Sequence, residues 1–167
     1  SALAIAFNNL KRTMDRGEGF GSELEAVKKL AGSEIDFSTL SGFVQSGIPS
    51  EQALIDAFPK LAIEAISETG QIDDQSGWDK LVTKARTAFR YRRTGDVEGE
   101  TTEAVLARME HKFKQGEVEN VLKEGEALKG HALRVMTPWL KQLEGRLQVE
   151  KAMHTLEEQL LVSLSPR

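Results

Sequence analysis

The fold is decided by residues 101–164, which read TTEAVLARMEHKFKQGEVENVLKEGEALKGHALRVMTPWLKQLEGRLQVEKAMHTLEEQLLVSL. Apolar residues recur every three or four positions from about residue 103 to 115, and again from about 117 to 129, which is the pattern of one apolar helix face. Gly116 lies between the two segments, where helices commonly end on a left-handed residue. So short a connection predicts two antiparallel helices that form a hairpin.

A long helix is predicted to follow the hairpin, from Thr137 to about Ser163, because proline suits the first helical position. Residues 131–136 are a candidate further turn of helix before that start. At 1.5 Å per residue it would be about 39 Å long, about twice what the two short helices can cover. Its uncovered apolar side chains need either the N-terminal part of this chain or a second copy. We expect a homodimer, and the residues predicted for self-association are Leu143, Leu147, Met153, Leu156 and Leu160.

The first 93 residues also have helical periodicity. Apolar spacing predicts helices over about residues 2–16, 22–30, 36–45, 51–67 and 78–91. The first has Leu3, Phe7, Leu10 and Met14 on one face, and the apolar face of the fourth fits either a protein core or a membrane surface. Pro59 is expected to kink or split the fourth helix. Ser22 and Glu25 have the spacing of a capping box at the start of the second.

The predicted class is therefore all-α, a helical bundle with a C-terminal helical hairpin plus one long helix. Strands are not predicted, because no segment alternates apolar and polar residues. We divide the sequence into an N-terminal helical region (1–93) with candidate lipid-binding helices, a linker rich in glycine and acidic residues (94–100), and a C-terminal helical domain (101–167).

Composition excludes several classes of function. The 167 residues are 40% hydrophobic, yet no apolar run approaches the roughly 20 residues of a membrane span. The net charge of −4 argues against general nucleic-acid binding. The chain has no cysteine, which excludes disulfides and thiolate sites. It starts inside an apparent helix, so we expect a fragment of a longer protein.

Candidate catalytic groups are not positioned for chemistry. His111, His131 and His154 are scattered and lack the spacing of metal ligands. Residues 17–21, GEGFG, resemble a phosphate-binding glycine loop, but they follow a helix and lack the P-loop lysine, so we interpret them as a flexible turn. We expect no enzymatic activity, no cofactor, no metal and no small-molecule substrate.

A basic cluster near the end of the N-terminal region is the candidate membrane contact. On a helix, Arg86, Arg90 and Arg93 would share nearly one face, with Phe89 beside it and Arg92 extending the patch. Basic residues next to aromatic ones suit an anionic lipid surface. The alternative is an ordinary solvated helix end that pairs with the acidic residues after it.

Several segments of the sequence, taken together and in order, resemble the mitofilin family. They are Asp96–Glu98, Ala104–Glu110, Gln115–Val118, Leu128–Gly130, Trp139–Leu140 and Gly145–Ala152. They are similar to the C-terminal domain of mitofilin, the inner-membrane scaffold of mitochondrial crista junctions, which has alphaproteobacterial relatives. Residues 21–30 and 47–62 resemble the bacterial branch more weakly.

The resemblance implies a membrane-anchored protein that shapes membrane, with a transmembrane helix and a coiled coil outside this chain. In the family, an amphipathic helix before the C-terminal domain binds lipid through an Arg-Phe-Arg-like motif. That motif falls on Ala57–Pro59, where Phe58 matches and both arginines are absent. Phe58, from this match, and the neighbouring Lys60 are candidate lipid contacts. Because Lys60 is the single basic residue on the polar face, against Glu51, Asp56 and Glu64, the sequence argues against strong membrane binding by this helix alone.

The resemblance also implies partners. The family's C-terminal domain docks a small cysteine-rich protein in mitochondria, and a bacterial version would instead contact outer-membrane barrel-assembly proteins. Our first hypothesis is a scaffold on the periplasmic face of a bacterial inner membrane that binds anionic lipid and self-associates; the alternative location is the intermembrane-space side of the mitochondrial inner membrane. The alternative function is a helical protein-interaction adaptor without lipid contact.

Overall fold

The computed structural model describes residues 1–67, 77–79 and 99–165, and these residues form helices and turns without any β-strand. The helices are α1 (Ala2–Asp15), α2 (Gly21–Leu30), α3 (Ser38–Ser41), α4 (Glu51–Ile66), α5 (Thr102–Lys114), α6 (Val118–Gly125) and α7 (Gly130–Leu164). Residues 77–79 are helical as well. The predicted all-α class is confirmed. The rest of the helix predicted over residues 78–91 lies outside the described residues.

The chain forms two compact units. The terminal unit combines Ser1–Glu51 with Gly145–Arg167, and the central unit is Gln52–Glu144. Helix α7 therefore contributes its first part to the central unit and its last part to the terminal unit. These units differ from the regions that we assigned from the sequence. Because residues 94–98 of the predicted linker lie outside the described residues, the domain boundary at 94–100 stays a prediction.

The hairpin in the central unit follows the prediction closely. Gly116 has a φ of +78°. Its amide donates to the carbonyl of Phe113 at 3.0 Å, and the next amide, that of Glu117, donates to the carbonyl of Lys112 at 2.9 Å. This pair of bonds is a Schellman motif, which satisfies the last carbonyls of α5. Helix α6 then ends at Gly125, four residues earlier than predicted.

Helix α7 is longer than predicted. It begins at Gly130 and continues through Pro138, so the predicted start at Thr137 is wrong. Pro138 has no N–H to donate to the carbonyl four residues before it. The hydroxyl of Thr137 makes a separate bond, to the carbonyl of Leu133 at 2.6 Å. With 35 residues, α7 is about 52 Å long. Helix α4 is likewise continuous through Pro59, and the predicted split does not occur.

An aromatic cluster forms the centre of the central unit. The ring centroids of Phe58 and Trp139 lie 5.1 Å apart in an edge-to-face arrangement, and Phe113 lies 5.7 Å from the same indole. The indole N–H of Trp139 donates to the buried carbonyl of Leu54 at 2.9 Å. Because a buried indole N–H without a partner is unfavourable, this bond fixes α4 against α7.

The core of the terminal unit is formed by α1, α2 and the last part of α7. The side chains of Phe7, Leu10 and Met14 belong to the same buried cluster as Met153 and Leu156. The apolar face of α1 that the sequence predicts is thus the face that packs. Within this unit the N-terminal residues cover the apolar seam of α7.

Two loops of the terminal unit pack backbone to backbone. The amide of Phe20, whose side chain is fully buried, donates to the carbonyl of Val44 at 3.0 Å. Gly47 has a φ of +67°, and a Cβ there would lie 2.7 Å from the carbonyl oxygens of Gly17 and Glu18. The GEGFG segment is therefore a turn whose backbone is held against residues 43–47.

This loop contact accounts for two errors in the predicted helices. The helix predicted over residues 36–45 is limited to α3, since the chain after Gly42 turns to meet the GEGFG segment. The predicted capping box is also wrong. Ser22 lies inside α2, whose N-cap is Phe20 without a side-chain hydrogen bond. The amide of Phe20 is instead bonded to the carbonyl of Val44.

Candidate membrane contacts and docking surfaces

Phe58 and Lys60, the two candidate lipid contacts on α4, face different surroundings. Phe58 is only 2% exposed, and its ring packs against Trp139 and Trp78 in the core of the central unit. Lys60 is exposed. In this conformation the phenyl ring of Phe58 cannot reach a lipid surface, whereas the ammonium group of Lys60 can.

The remaining lipid candidates, Arg86, Arg90, Arg92 and Arg93, lie outside the described residues, and their role stays a prediction. The residues that flank this segment are described. Trp78 is buried, and its indole N–H donates to the Glu110 carboxylate at 2.9 Å. On the other side, the carbonyl of Gly99 accepts a hydrogen bond of 2.6 Å from Nη1 of Arg108.

Both flanking contacts end on the same helix. Glu110 and Arg108 are two residues apart on α5, so the chain is fixed to one helix of the central unit before and after the basic cluster. Trp78 also lies 6.0 Å from the ring of Phe58, ring centroid to ring centroid. The positions of residues 78 and 99 therefore depend on the core of the central unit.

Arg108 is the centre of a buried ion-pair network. Its side chain is 6% exposed, and its Nε lies 2.9 Å from a carboxylate oxygen of Glu124 on α6. The ammonium group of Lys112 lies 4.0 Å from the other oxygen of the same carboxylate. The network ties α5 to α6 and extends through Arg108 to Gly99.

Apolar periodicity does not predict this network, and among the sequence patterns Arg108 belongs only to the family-like segment Ala104–Glu110. A signal was present. Arg108 sits three residues after Val105 and directly before Met109, within the stripe that otherwise carries apolar side chains. A cation at such a position indicates a buried partner of opposite charge.

The residues predicted for self-association are covered within the chain. Leu143 lies in the core of the central unit. Met153, Leu156 and Leu160 lie in the core of the terminal unit together with side chains of α1, and Leu147 is half-buried. A second copy could reach this seam only if α1 moved away from it, so the predicted self-association stays a prediction.

The last turn of α7 carries exposed apolar side chains. Leu161, Val162 and Leu164 are 62%, 76% and 52% exposed. They follow Leu160, which is buried. Three adjacent exposed aliphatic side chains are a candidate contact surface for a partner.

The described residues hold no group of three or more histidine and acidic side chains that could bind a metal ion. His131 makes a 2.8 Å hydrogen bond with the carbonyl of Glu64, and His154 lies 3.1 Å from a carboxylate oxygen of Glu158.

Within residues 1–67, 77–79 and 99–165, no helix combines the length and the hydropathy of a membrane span.

Comparison with known proteins places these features in a family. The sequence model of Mitofilin, described as a mitochondrial inner membrane protein, matches residues 1–160. The chain is 25% identical to the MICOS complex subunit mic60 of Emericella nidulans, covering 93% of this chain and 26% of the relative. It is 28% identical to the MICOS complex subunit MIC60 of Phaeosphaeria nodorum, covering 92% and 26%.

The chain thus spans about a quarter of the length of these relatives. No solved structure matches it. The family match extends over nearly the whole chain, including both the N-terminal helices and the hairpin with its long helix. The chain therefore belongs to the Mitofilin family.

Proposed function

We propose that this chain is a non-enzymatic scaffold domain that organises an inner membrane through lipid contact and self-association. The observation that carries the proposal is the match to the Mitofilin family over residues 1–160. The family's description supports a place at the mitochondrial inner membrane. Its intermembrane-space side is the location that the resemblance of the C-terminal segments implies. The periplasmic face of a bacterial inner membrane is supported by the resemblance of residues 21–30 and 47–62 to the bacterial branch.

Lipid contact is assigned to the basic cluster, Arg86, Arg90, Arg92 and Arg93, with Lys60 as an additional cation. The burial of Phe58 in the central core leaves α4 without its apolar contact group. The hydrogen bonds of Trp78 and Gly99 to α5 support the assignment, because they fix both flanks of the cluster on a folded unit. Each arginine near an anionic surface contributes about 1 kcal/mol.

Self-association would use the seam of Met153, Leu156 and Leu160 by exchange of α1 between two copies. The apolar face of α1 covers this seam within one chain, and the same face could cover the seam of a second chain at little cost in contacts. Light scattering at tens of micromolar is expected to give twice the 18.5 kDa mass of one chain. A single-chain mass at every concentration would contradict self-association.

Membrane organisation itself is tested by imaging vesicles. Electron microscopy of vesicles containing anionic lipid, incubated with the chain, is expected to show tubules or clustered vesicles. Vesicles of zwitterionic lipid alone should keep their shape. Unchanged anionic vesicles at saturating protein would contradict the proposal.

The alternative function is a helical adaptor that binds proteins without lipid contact. The exposed Leu161, Val162 and Leu164 favour it, since an aliphatic surface of this kind suits a protein partner. Outer-membrane barrel-assembly proteins are the candidate partners of a bacterial version. Pull-down of such a partner by a chain that leaves anionic vesicles unbound would favour this function over the first.

A further inference from the structure

A pocket of about 280 Å³ lies in the terminal unit, between α1 and the last part of α7. Its floor consists of apolar side chains, Phe7, Met14, Ile48, Val149 and Met153. Two of these are methionines, whose unbranched and polarisable side chains adapt to differently shaped ligands. The floor is thus a preformed apolar surface that a side chain of another molecule could enter.

The rim of the pocket is charged. Its polar residues are Lys11, Asp15, Arg146, Glu150, His154 and Glu157. Three carboxylates therefore face two permanent cations, and His154 is adjacent to Glu158. The rim carries an excess of negative charge near neutral pH.

Arg146 does not neutralise this excess fully. Its Nη2 lies 3.7 Å from Asp15, and its Nη1 donates to the carbonyl of Pro49 at 3.2 Å. Its Nε lies 3.0 Å from a carboxylate oxygen of Glu150, but this buried N–H is not aimed at the oxygen and makes no hydrogen bond. One guanidinium is thus divided between two carboxylates and a backbone carbonyl.

The Glu150 carboxyl has a raised pKa, and burial is the largest cause; Arg146 opposes the shift, whereas Glu51 and Asp15 add to it. Arg146 therefore does not fully neutralise the Glu150 carboxylate. A cation bound at the rim would be attracted to this carboxylate.

We propose that this pocket binds a basic segment of a partner protein, with one large apolar side chain on the floor and lysine or arginine side chains on the acidic rim. The size supports this occupant, because the volume is just below the usual range of small-molecule sites, about 300–1,000 Å³, and suits a single side chain. The charge supports it too, since the rim repels an anionic partner. None of the residues that line the pocket belongs to the basic cluster at residues 86–93.

The four methionines of the chain give a direct readout. Met14 and Met153 line the pocket, whereas Met109 and Met136 lie in the core of the central unit. In the full chain with ¹³C-labelled methionine methyl groups, each methyl signal can be followed by NMR during a lipid-free titration. The probe is a capped pentapeptide with a central leucine between two arginines on each side.

The basic peptide is expected to shift the Met14 and Met153 signals in a saturable way, with Met109 and Met136 unchanged. Two matched peptides test the two halves of the site. Glutamates in place of the arginines should abolish the shifts, and glycine in place of the leucine should weaken binding at least tenfold, because the floor contact is lost.

A variant of the chain tests the rim. Asp15→Asn combined with Glu157→Gln should weaken binding of the basic peptide about fivefold, the usual size of a partly exposed charge contact. The control, Glu126→Gln with Glu144→Gln, removes the same charge from exposed positions in the central unit and should bind like the unmodified chain. All four substitutions are on exposed side chains, so folding is preserved.

Three outcomes would overturn the proposal. The first is equal binding of the basic and acidic peptides. The second is equal shifts at all four methionines, which would indicate non-specific association. The third is a pocket that takes lipid, in which anionic vesicles move the Met14 and Met153 signals and the peptides do not.

Discussion

Arg108 carries a full charge at a position that is only 5% exposed. Removing a guanidinium from water is unfavourable by several kcal/mol unless ion pairs and hydrogen bonds compensate. Glu124 and the carbonyl of Gly99 supply that compensation, at 2.9 and 2.6 Å. A single side chain therefore joins the two helices of the hairpin to the residue that follows the basic cluster.

Arg108→Met is expected to lower the free energy of unfolding by about 3 kcal/mol, because the half-buried Glu124 carboxylate and the Gly99 carbonyl both lose their guanidinium partner. Denaturant unfolding measures the change. Arg134→Met, at an exposed position on α7, is the control and should change stability by less than about 0.5 kcal/mol. Equal effects of the two substitutions would show that the buried network contributes nothing specific.

Glu150 should make stability depend on pH. Its folded-state pKa is raised, so the folded chain binds the proton more tightly than the unfolded chain. The contribution of this group is full below the unfolded pKa of about 4.3 and is lost as the pH rises through the folded pKa. The charged groups around it are Arg146, Asp15, Glu51, Lys11, His154 and Glu157.

Glu150→Gln removes the titrating carboxyl, so the variant does not lose this part of its stability as the pH rises. The variant should gain melting temperature relative to the unmodified chain as the pH is raised from 4 to 7.5. Glu144→Gln, exposed on the same helix, is the matched control and should follow the unmodified chain. Parallel curves for the Glu150 variant and the unmodified chain would mean that its carboxyl has no raised pKa.

At the scale of the elements, periodicity predicted most of the helices but not where they end. The predicted α1, with Leu3, Phe7, Leu10 and Met14 on one face, agrees with the structure to one residue, because each of these side chains reports on the same buried surface. The short α3 could not be predicted. Its end depends on the contact with the GEGFG segment, which lies about 25 residues away in the sequence.

The two prolines in helical segments do not interrupt a helix, although the local pattern predicted that they would. Pro138 and Pro59 both sit inside continuous helices. The bond from the Trp139 indole to the Leu54 carbonyl is a tertiary contact that joins α4 and α7 close to both prolines. Local propensity is a weak guide wherever tertiary contacts of this kind are present.

Glycine substitutions test which turns need a glycine. Gly116→Ala should destabilise by about 1 kcal/mol, since φ is +78° but a Cβ would meet nothing within 4 Å. Gly47→Ala should destabilise by about 3 kcal/mol, because strain adds to a backbone clash at 2.7 Å. Gly32→Ala, with neither problem, is the control. Thermal unfolding that ranks Gly47→Ala with Gly32→Ala would contradict the loop contact.

For the whole molecule, the sequence predicted the family and the fold class, but it did not show which residues cover the apolar seam of α7. Sequence could not choose between a second chain and α1, because both offer leucine-rich faces of the same period. In the structure α1 covers Met153, Leu156 and Leu160. Phe58 shows the same limit: its periodicity fits a core face and a lipid face equally, and burial decides between them.

The pocket of the terminal unit could not be predicted from the sequence, for a different reason. Its walls come from residues 7–15, residue 48 and residues 146–157, which no local pattern connects. Asp15 and Glu150 look like ordinary surface charges in the sequence. They become a site only when α1 and α7 pack side by side.

The proposed contact between the basic cluster and anionic membrane is measured by vesicle co-sedimentation. Arg90→Glu, Arg92→Glu and Arg93→Glu together should weaken binding to anionic vesicles at least about 100-fold, since each arginine contributes about 1 kcal/mol. The control, with Lys29→Glu, Lys129→Glu and Lys141→Glu at exposed positions, makes the same charge change and should lose far less. Undiminished binding of the arginine variant, or equal loss in both variants, would contradict the claim.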